Sequence, residues 1–176
     1  QLRISGVVAT SPGKRLMINV SSVAGRMAVP FFAIYHASKW AVEGYSLGLR
    51  RELACTGVDV VVVEPGPFST ELFGQSPQPA DEDGRAQSYP QAAMDTFENM
   101  NAAFAGMFED PDVPTDPIEV VDDFVELIDL APGTRPFRSV LGVDLGIADR
   151  NASDEAHDPA FLEAMGLTDF VKLKTG

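Results

Sequence analysis

The chain has 176 residues, 45% hydrophobic and 22% charged, a balance that supports one globular domain and excludes a disordered chain. Asp and Glu number 26 against 13 Lys and Arg, and a net charge of −13 argues against nucleic acid and anionic membrane surfaces as partners. One cysteine, Cys55, excludes a disulfide framework or a cysteine zinc site, and His36 and His157 are too few for a histidine-rich one, so no metal is expected. No apolar run approaches the roughly 20 residues of a bilayer crossing, and no basic-then-apolar leader follows Gln1, which leaves a soluble, cytoplasmic domain as the expectation.

In chain order, residues 1–14 read as ragged, with Ser5-Gly6-Val7-Val8 running quickly into Pro12-Gly13. Arg15 to Val20 is a short continuous apolar run, which suits a strand buried on both faces. From Tyr35 to about Ala54, apolar residues recur at helical steps (Ala37, Trp40, Ala41, Tyr45, Leu49, Leu53), and Gly57 stands where a C-terminal cap belongs. Val58 to Val63 is a second buried strand, stopped by Pro65-Gly66. Strand, helix and strand at these lengths predict a right-handed parallel βαβ unit and an α/β architecture.

Charge divides the remainder. Residues 1–79 carry a net +2, residues 80–130 a net −13 and residues 131–176 a net −2. The middle opens with Pro77, Pro79, Asp81, Glu82, Asp83 and Gly84, a composition suited to a solvated surface flap or to a lid over a site. Beyond it, helices are expected over Tyr89–Phe108 and Ile118–Leu130, a strand over Phe137–Val143 and a short helix near Pro159–Met165. The organisation is then core (1–75), acidic excursion (76–115), last core helix and strand (116–147) and C-terminal tail (148–176).

Three groups capable of chemistry converge on one edge of this sheet. Ser22 ends the first buried strand, and Tyr35 and Lys39 share a face one turn apart at the start of the following helix. The C-terminal edge of an open parallel sheet is where ligands bind. A phenol titrates near about 10 when unperturbed, and a neighbouring ammonium lowers that value toward neutrality. Ser22 could then hold a carbonyl oxygen by a hydrogen bond while Tyr35 exchanges a proton with it.

The fuller string narrows the reading. Asn19-Val20-Ser21-Ser22-Val23-Ala24-Gly25 is followed after nine residues by Tyr35-His36-Ala37-Ser38-Lys39, and then by Pro65-Gly66-Pro67-Phe68-Ser69-Thr70. These three stretches closely resemble the short-chain dehydrogenase/reductase family, with its N-[VI]-S-S-x-x-G, Y-x-A-S-K and P-G-x-x-x-T motifs at matching spacing. The resemblance covers about residues 4–147. It implies a partial Rossmann-like, doubly wound parallel sheet, the C-terminal half of the family fold. It also implies an NAD(P)-dependent oxidoreductase acting on a small-molecule carbonyl or secondary alcohol. Ser22 would orient the carbonyl, Tyr35 would be the acid/base, and Lys39 would assist Tyr35 and bind the nicotinamide ribose. Pro65, Gly66, Phe68 and Thr70 would face the nicotinamide. The helix from Tyr35 to Ala54, with Trp40, Gly44 and Gly48, resembles the family's dimer helix and would allow a homo-oligomer.

The sequence also departs from the family. It contains no glycine-rich T-G-x-x-x-G-x-G turn for the cofactor pyrophosphate, no residue that selects NAD over NADP, and no N-A-G turn. A catalytically inactive fragment that serves at most as an interaction partner is therefore the alternative, and residues 1–14 read as the end of a lost helix region. A relative of the extended type, acting on nucleotide sugars, fits less well because of the early P-G-x-x-x-T turn. Among neighbouring residues, His36 is expected on the outer or substrate-facing side, Cys55 in packing, Thr70 as a helix cap or cofactor contact, and Gly44 and Gly48 at a close helix contact. Phe97, Met100, Phe104, Met107 and Phe108 either pack the excursion onto the core or line a hydrophobic pocket.

Overall fold

The computed structural model describes residues 6–11, 14–73 and 88–174. Its centre is a four-stranded sheet in the order β1-β2-β3-β4, formed by Gly6–Ser11 (β1), Lys14–Val20 (β2), Val58–Pro65 (β3) and Arg138–Leu141 (β4). β2, β3 and β4 are parallel, with Arg15 opposite Val58 and Val62 opposite Arg138. The crossover between β2 and β3 is the helix α1, Ala33–Ala54. After it come α2 (Gln91–Glu109), α3 (Ile118–Asp129) and α4 (Ile147–Ala164).

β3 explains the arrangement. Val60 to Val63 have no exposed surface, so both faces of the strand must be covered. Val61 and Val63 pack with Leu16 and Ile18 of β2 beneath Leu127 of α3, and Val120, Phe124, Leu130 and Leu141 complete that layer. Each such side chain stabilises the fold by about 1.5–3 kcal/mol on burial. The opposite face meets α1, whose buried residues are His36, Val42, Glu43, Ser46 and Ala54. This second layer is unusually polar: Asn19 on β2 donates to Ser46 Oγ at 2.9 Å. Gly57, at φ +72°, turns the chain from α1 into β3, and the backbone of Lys174 returns to bond the Ala54 carbonyl.

The first residues differ from the sequence reading. Gly6–Ser11 is no helix remnant but a strand running antiparallel to β2, with Gly6 opposite Asn19 and Ser11 opposite Lys14. Val7, Val8 and Thr10 suit a strand. Their placement leaves a sheet that is three-stranded parallel with one antiparallel edge.

The middle and end also differ in detail. The acidic opening of the excursion, Pro77 to Gly84, lies outside the described residues. α2 follows the expected helical spacing yet buries none of its residues fully, and Phe97 meets Phe31 edge to face at 5.3 Å. α4 is far longer than the short helix expected near Pro159, and it replaces most of the supposed tail. Among the described residues, Gly44 and Gly48 have nothing within 4 Å of where a side chain would begin, so no described helix packs on them. Cys55 is exposed rather than packed. Among the described residues, no helix is long and apolar enough to cross a membrane.

Candidate active site

The carboxyl ends of β2 and β3 carry two turns. Ser22 caps the short 3-10 turn Val23–Gly25, its Oγ accepting from the Ala24 N–H at 3.1 Å. The same hydroxyl donates to the Pro65 carbonyl at 3.2 Å, which ties the end of β2 to the end of β3. Gly25 is small for a reason: a Cβ there would sit 2.5 Å from Ser21 Oγ and 3.2 Å from the Lys39 carbonyl.

Tyr35 and Lys39 stand in the first turns of α1, above this edge. Lys39 Nζ lies 5.8 Å from the centre of the Tyr35 ring and donates to the Val20 carbonyl at 3.4 Å. That single long bond leaves donors on the ammonium for a ligand. Burial pushes the Lys39 ammonium below its ordinary value, opposed by the Glu43 carboxylate. The Tyr35 ring is 40% exposed, and among the described residues its hydroxyl makes no hydrogen bond, nor does it bond Ser22.

The sequence places His36 on the outer or substrate-facing side, but the residue is buried. Its Nδ1–H donates to the Ala24 carbonyl at 2.9 Å, and Nε2 accepts from the Val29 N–H at 3.0 Å. The ring thereby pins the Ser22 turn and the loop after it to α1, using the backbone groups that the turn leaves unpaired. No periodicity revealed this, because the partners lie in an irregular loop.

The Pro65–Thr70 turn divides. Gly66 is in tight backbone contact: a Cβ would lie 2.6 Å from the Val143 carbonyl oxygen, and its N–H donates to Leu141. Phe68 is buried against Gly142, which adopts φ +69°. Pro65 is half-buried, and its carbonyl is taken by Ser22. Thr70 is exposed, at the head of a 3-10 turn over Glu71–Phe73. Beside this turn opens a cleft of about 500 Å³, lined among others by Ser69, Phe108, Asp110, Pro114, Thr115 and Asp116.

Behind the turns lies a buried ionic group that the sequence reading missed. Glu64, fully buried, faces Glu43 of α1, Asn151 of α4 and Arg138 of β4. Arg138 Nε reaches Glu43 at 3.0 Å and Glu64 at 3.5 Å, and Arg138 Nη1 holds Glu155 at 3.2 Å. Burial, then the nearby Glu43, pushes the Glu64 carboxyl up to about 8 from an ordinary 4.5, while Asn151 and Arg138 oppose the shift. The only signal in the sequence was an acid ending an all-valine run.

A raised carboxyl value has a direct consequence for stability. The folded state holds the Glu64 proton more tightly than the unfolded chain does, so this contribution is fully present below about 4.5 and is lost as the pH rises through about 8. Urea unfolding at about pH 5 and about pH 9 should show a loss on the alkaline side that Glu64→Gln largely removes. An unchanged pH slope in the variant would exclude a protonated Glu64.

These motifs and this sheet have known counterparts. The short chain dehydrogenase family model matches residues 10–81, which contain both turns and the start of α1. Through this segment the chain is similar to the short-chain dehydrogenase family. A similar stretch occurs in an NADPH-dependent 3-dehydrocapnine reductase of Ornithobacterium rhinotracheale, 48% identical over 60 residues, 34% of this chain and 21% of the relative. Another is a 3-ketodihydrosphingosine reductase of Bacteroides thetaiotaomicron, 42% identical over 74 residues, 37% of this chain and 28% of the relative. A crystal structure of a short-chain dehydrogenase from Streptomyces avermitilis shares the fold at a TM-score of 0.51 and 23% identity, covering 88% of this chain and 52% of its own. The aligned stretch thus spans less than a third of these two curated relatives, and the chain about half of the matched structure. The matched segment holds the α/β edge that carries Ser22, Tyr35 and Lys39, and the sequence has no glycine-rich turn.

Proposed function

We propose that the chain provides the proton-transfer half of an NAD(P)-dependent oxidoreductase, acting on a carbonyl or secondary alcohol. The observation that carries this reading is the Lys39 ammonium, half-buried beside the Tyr35 ring with donors to spare. A bound nicotinamide would supply or accept the hydride. The Lys39 donors suit ribose hydroxyls, and the Pro65–Thr70 turn suits the nicotinamide side. The pyrophosphate would be held by residues outside this sequence, which has no glycine-rich turn.

Tyr35 would pass its phenolic proton to the carbonyl oxygen in the reducing direction and take it back in the oxidising one. Lys39 would stand beside the reacting phenol, its Nζ 5.8 Å from the ring centre, with donors free for a ribose hydroxyl. Ser22 would turn its hydroxyl proton from the Pro65 carbonyl to the substrate oxygen, while still accepting from the Ala24 N–H. Among the described residues the cleft beside Ser69 is lined by Glu109, Asp110, Asp116 and Glu119 and by no basic side chain, which favours a neutral or cationic substrate over an anionic one. The names of the two reductases similar to this segment, one of them NADPH-dependent, support NADPH and the reducing direction. Exposed Trp40 and Tyr45, beside the uncovered Gly44 and Gly48, suit self-association along α1.

Titration with NADPH and with NADH, followed by Trp40 fluorescence, tests the reading. Trp40 is the one tryptophan and bonds the Met27 carbonyl close to the Ser22 turn. Saturable binding at roughly micromolar concentration, with carbonyl-dependent oxidation of the cofactor, is the expected result. A folded chain that binds neither cofactor would instead be an inactive segment serving only for assembly.

A further inference from the structure

The two turns at the sheet edge follow paired strands, β2 and β3, and beyond that pairing their relative position is fixed by two further links. One is the direct bond from Ser22 to the Pro65 carbonyl. The other runs through α4. Asn151, 5% exposed, accepts at Oδ1 from Arg26 Nε at 2.9 Å and donates from Nδ2 to Glu64 Oε2. Arg26 closes the Ser22 turn, its N–H bonding the Val23 carbonyl at 3.0 Å, and Glu64 immediately precedes Pro65. The same helix face grips Arg26 twice more: Asp154 accepts from its guanidinium, and Arg150 donates to its carbonyl.

An amide in this place needs a reason, because α4 buries only Ile147, Asn151 and Leu162. A leucine would satisfy neither neighbour, and an aspartate would offer acceptors to both. Only an amide of this length gives an acceptor to the arginine and a donor to the carboxylate. We infer that Asn151 is a positioning residue that holds the Ser22 turn in register with the Pro65–Gly66 turn. Its meaning for catalysis rests on the oxidoreductase reading above, whereas the structural link does not. Glu64 is faced by Glu43 from α1, Arg138 from β4 and Asn151 from α4, with Glu155 beyond Arg138; Arg26 is faced by Asp154 and by the Trp40 ring at 5.8 Å.

The test uses the intact protein and the variants Asn151→Leu, Asn151→Asp and Asn151→Asp with Glu64→Gln. Amide exchange at Gly25, Arg26 and Gly66 is read against that of Val61–Val63, beside NADPH-dependent carbonyl reduction. Asn151→Leu should speed exchange at the two turns by about tenfold or more relative to the strand amides, and lower kcat. Asn151→Asp should behave well only while Glu64 carries a proton to donate, so its turn exchange should accelerate at alkaline pH, at a midpoint above the parent's about 8, because the substitution removes the amide donor that lowers the Glu64 value. Adding Glu64→Gln supplies an N–H donor at every pH and should remove that acceleration and restore kcat. Unchanged turn exchange in Asn151→Leu, or a double variant no better than Asn151→Asp, would overturn the inference. If Asn151→Leu does not fold, the comparison of the other two variants decides. Absent hydride transfer in the parent protein would refute the oxidoreductase reading and leave the exchange result to judge the link.

Discussion

Tyr35→Phe is expected to lower carbonyl reduction by about 10²–10⁴-fold, the usual contribution of a positioned general acid, while stability stays within about 0.5 kcal/mol. The split follows from the surroundings of the ring. Tyr35 is 40% exposed and its hydroxyl has no hydrogen-bond partner among the described residues, so the fold loses little with it. The ring contacts, to Phe32 at 6.4 Å and to Lys39 Nζ at 5.8 Å, are retained by phenylalanine. Cofactor affinity should change little, because Lys39 keeps its donors. What disappears is the proton that must reach the carbonyl oxygen as hydride arrives at carbon. Steady-state kinetics with NADPH, beside urea unfolding of the same preparations, would check this. Undiminished turnover in the variant would remove Tyr35 from the acid/base role and point to another group at the sheet edge.

The parts of the fold that were legible in the sequence are those where hydrophobic pattern carries the information. Val58–Val63 could be read as a strand covered on both faces because each residue in Val60–Val63 is buried, and a parallel partner follows from the helix between. α1 and α3 were readable from apolar spacing and from Pro117 at the start of the latter. α4 was not, since between residues 148 and 158 it carries mostly polar side chains and alanines, and it is held by Arg26, Glu64 and Arg138 through hydrogen bonds and ion pairs. Such contacts leave no periodic trace. β1 escaped for a different cause: a six-residue strand on a sheet edge is fixed by pairing with β2, which local sequence does not state.

The candidate site was legible in part, for a related reason. Ser22, Tyr35 and Lys39 stand at the ends of regular elements, so spacing alone brings them to one edge. Gly66 and Phe68 were expected to face a ligand, yet both make close contacts with residues 141–143. A turn that must approach a neighbouring backbone and a turn that must approach a cofactor demand the same small residue. His36, Glu43, Glu64 and Asn151 hold the site residues in place from behind, and their roles depend on partners as many as 125 positions away, as for Asn151 and Arg26. The geometry of this edge therefore rests on a buried polar layer under an apolar sheet.

The α3 face of the sheet has a polar anchor of its own, and its removal should have the largest effect on stability. Asp59, at the start of β3, is 1% exposed and accepts from Arg50 Nη1 at 3.1 Å, Arg135 Nη1 at 3.2 Å and the Gly133 N–H at 3.2 Å. Arg135, 3% exposed, spends its other donors on the carbonyls of Leu127, Ile128 and Leu130, which end α3. Asp59→Ala leaves that guanidinium buried without its counter-charge and should cost about 3–5 kcal/mol. Removing both partners together, Asp59→Leu with Arg135→Leu, should cost less than the sum of the single changes, since neither charge is then stranded. The carbonyls at the end of α3 would still be orphaned, so the double variant should remain below the parent. Urea unfolding of Asp59→Leu, Arg135→Leu and the double variant gives the coupling directly. A loss under about 1 kcal/mol for Asp59→Ala would mean that water reaches Arg135, and that α3 is held on the sheet by Leu127 and its apolar neighbours alone.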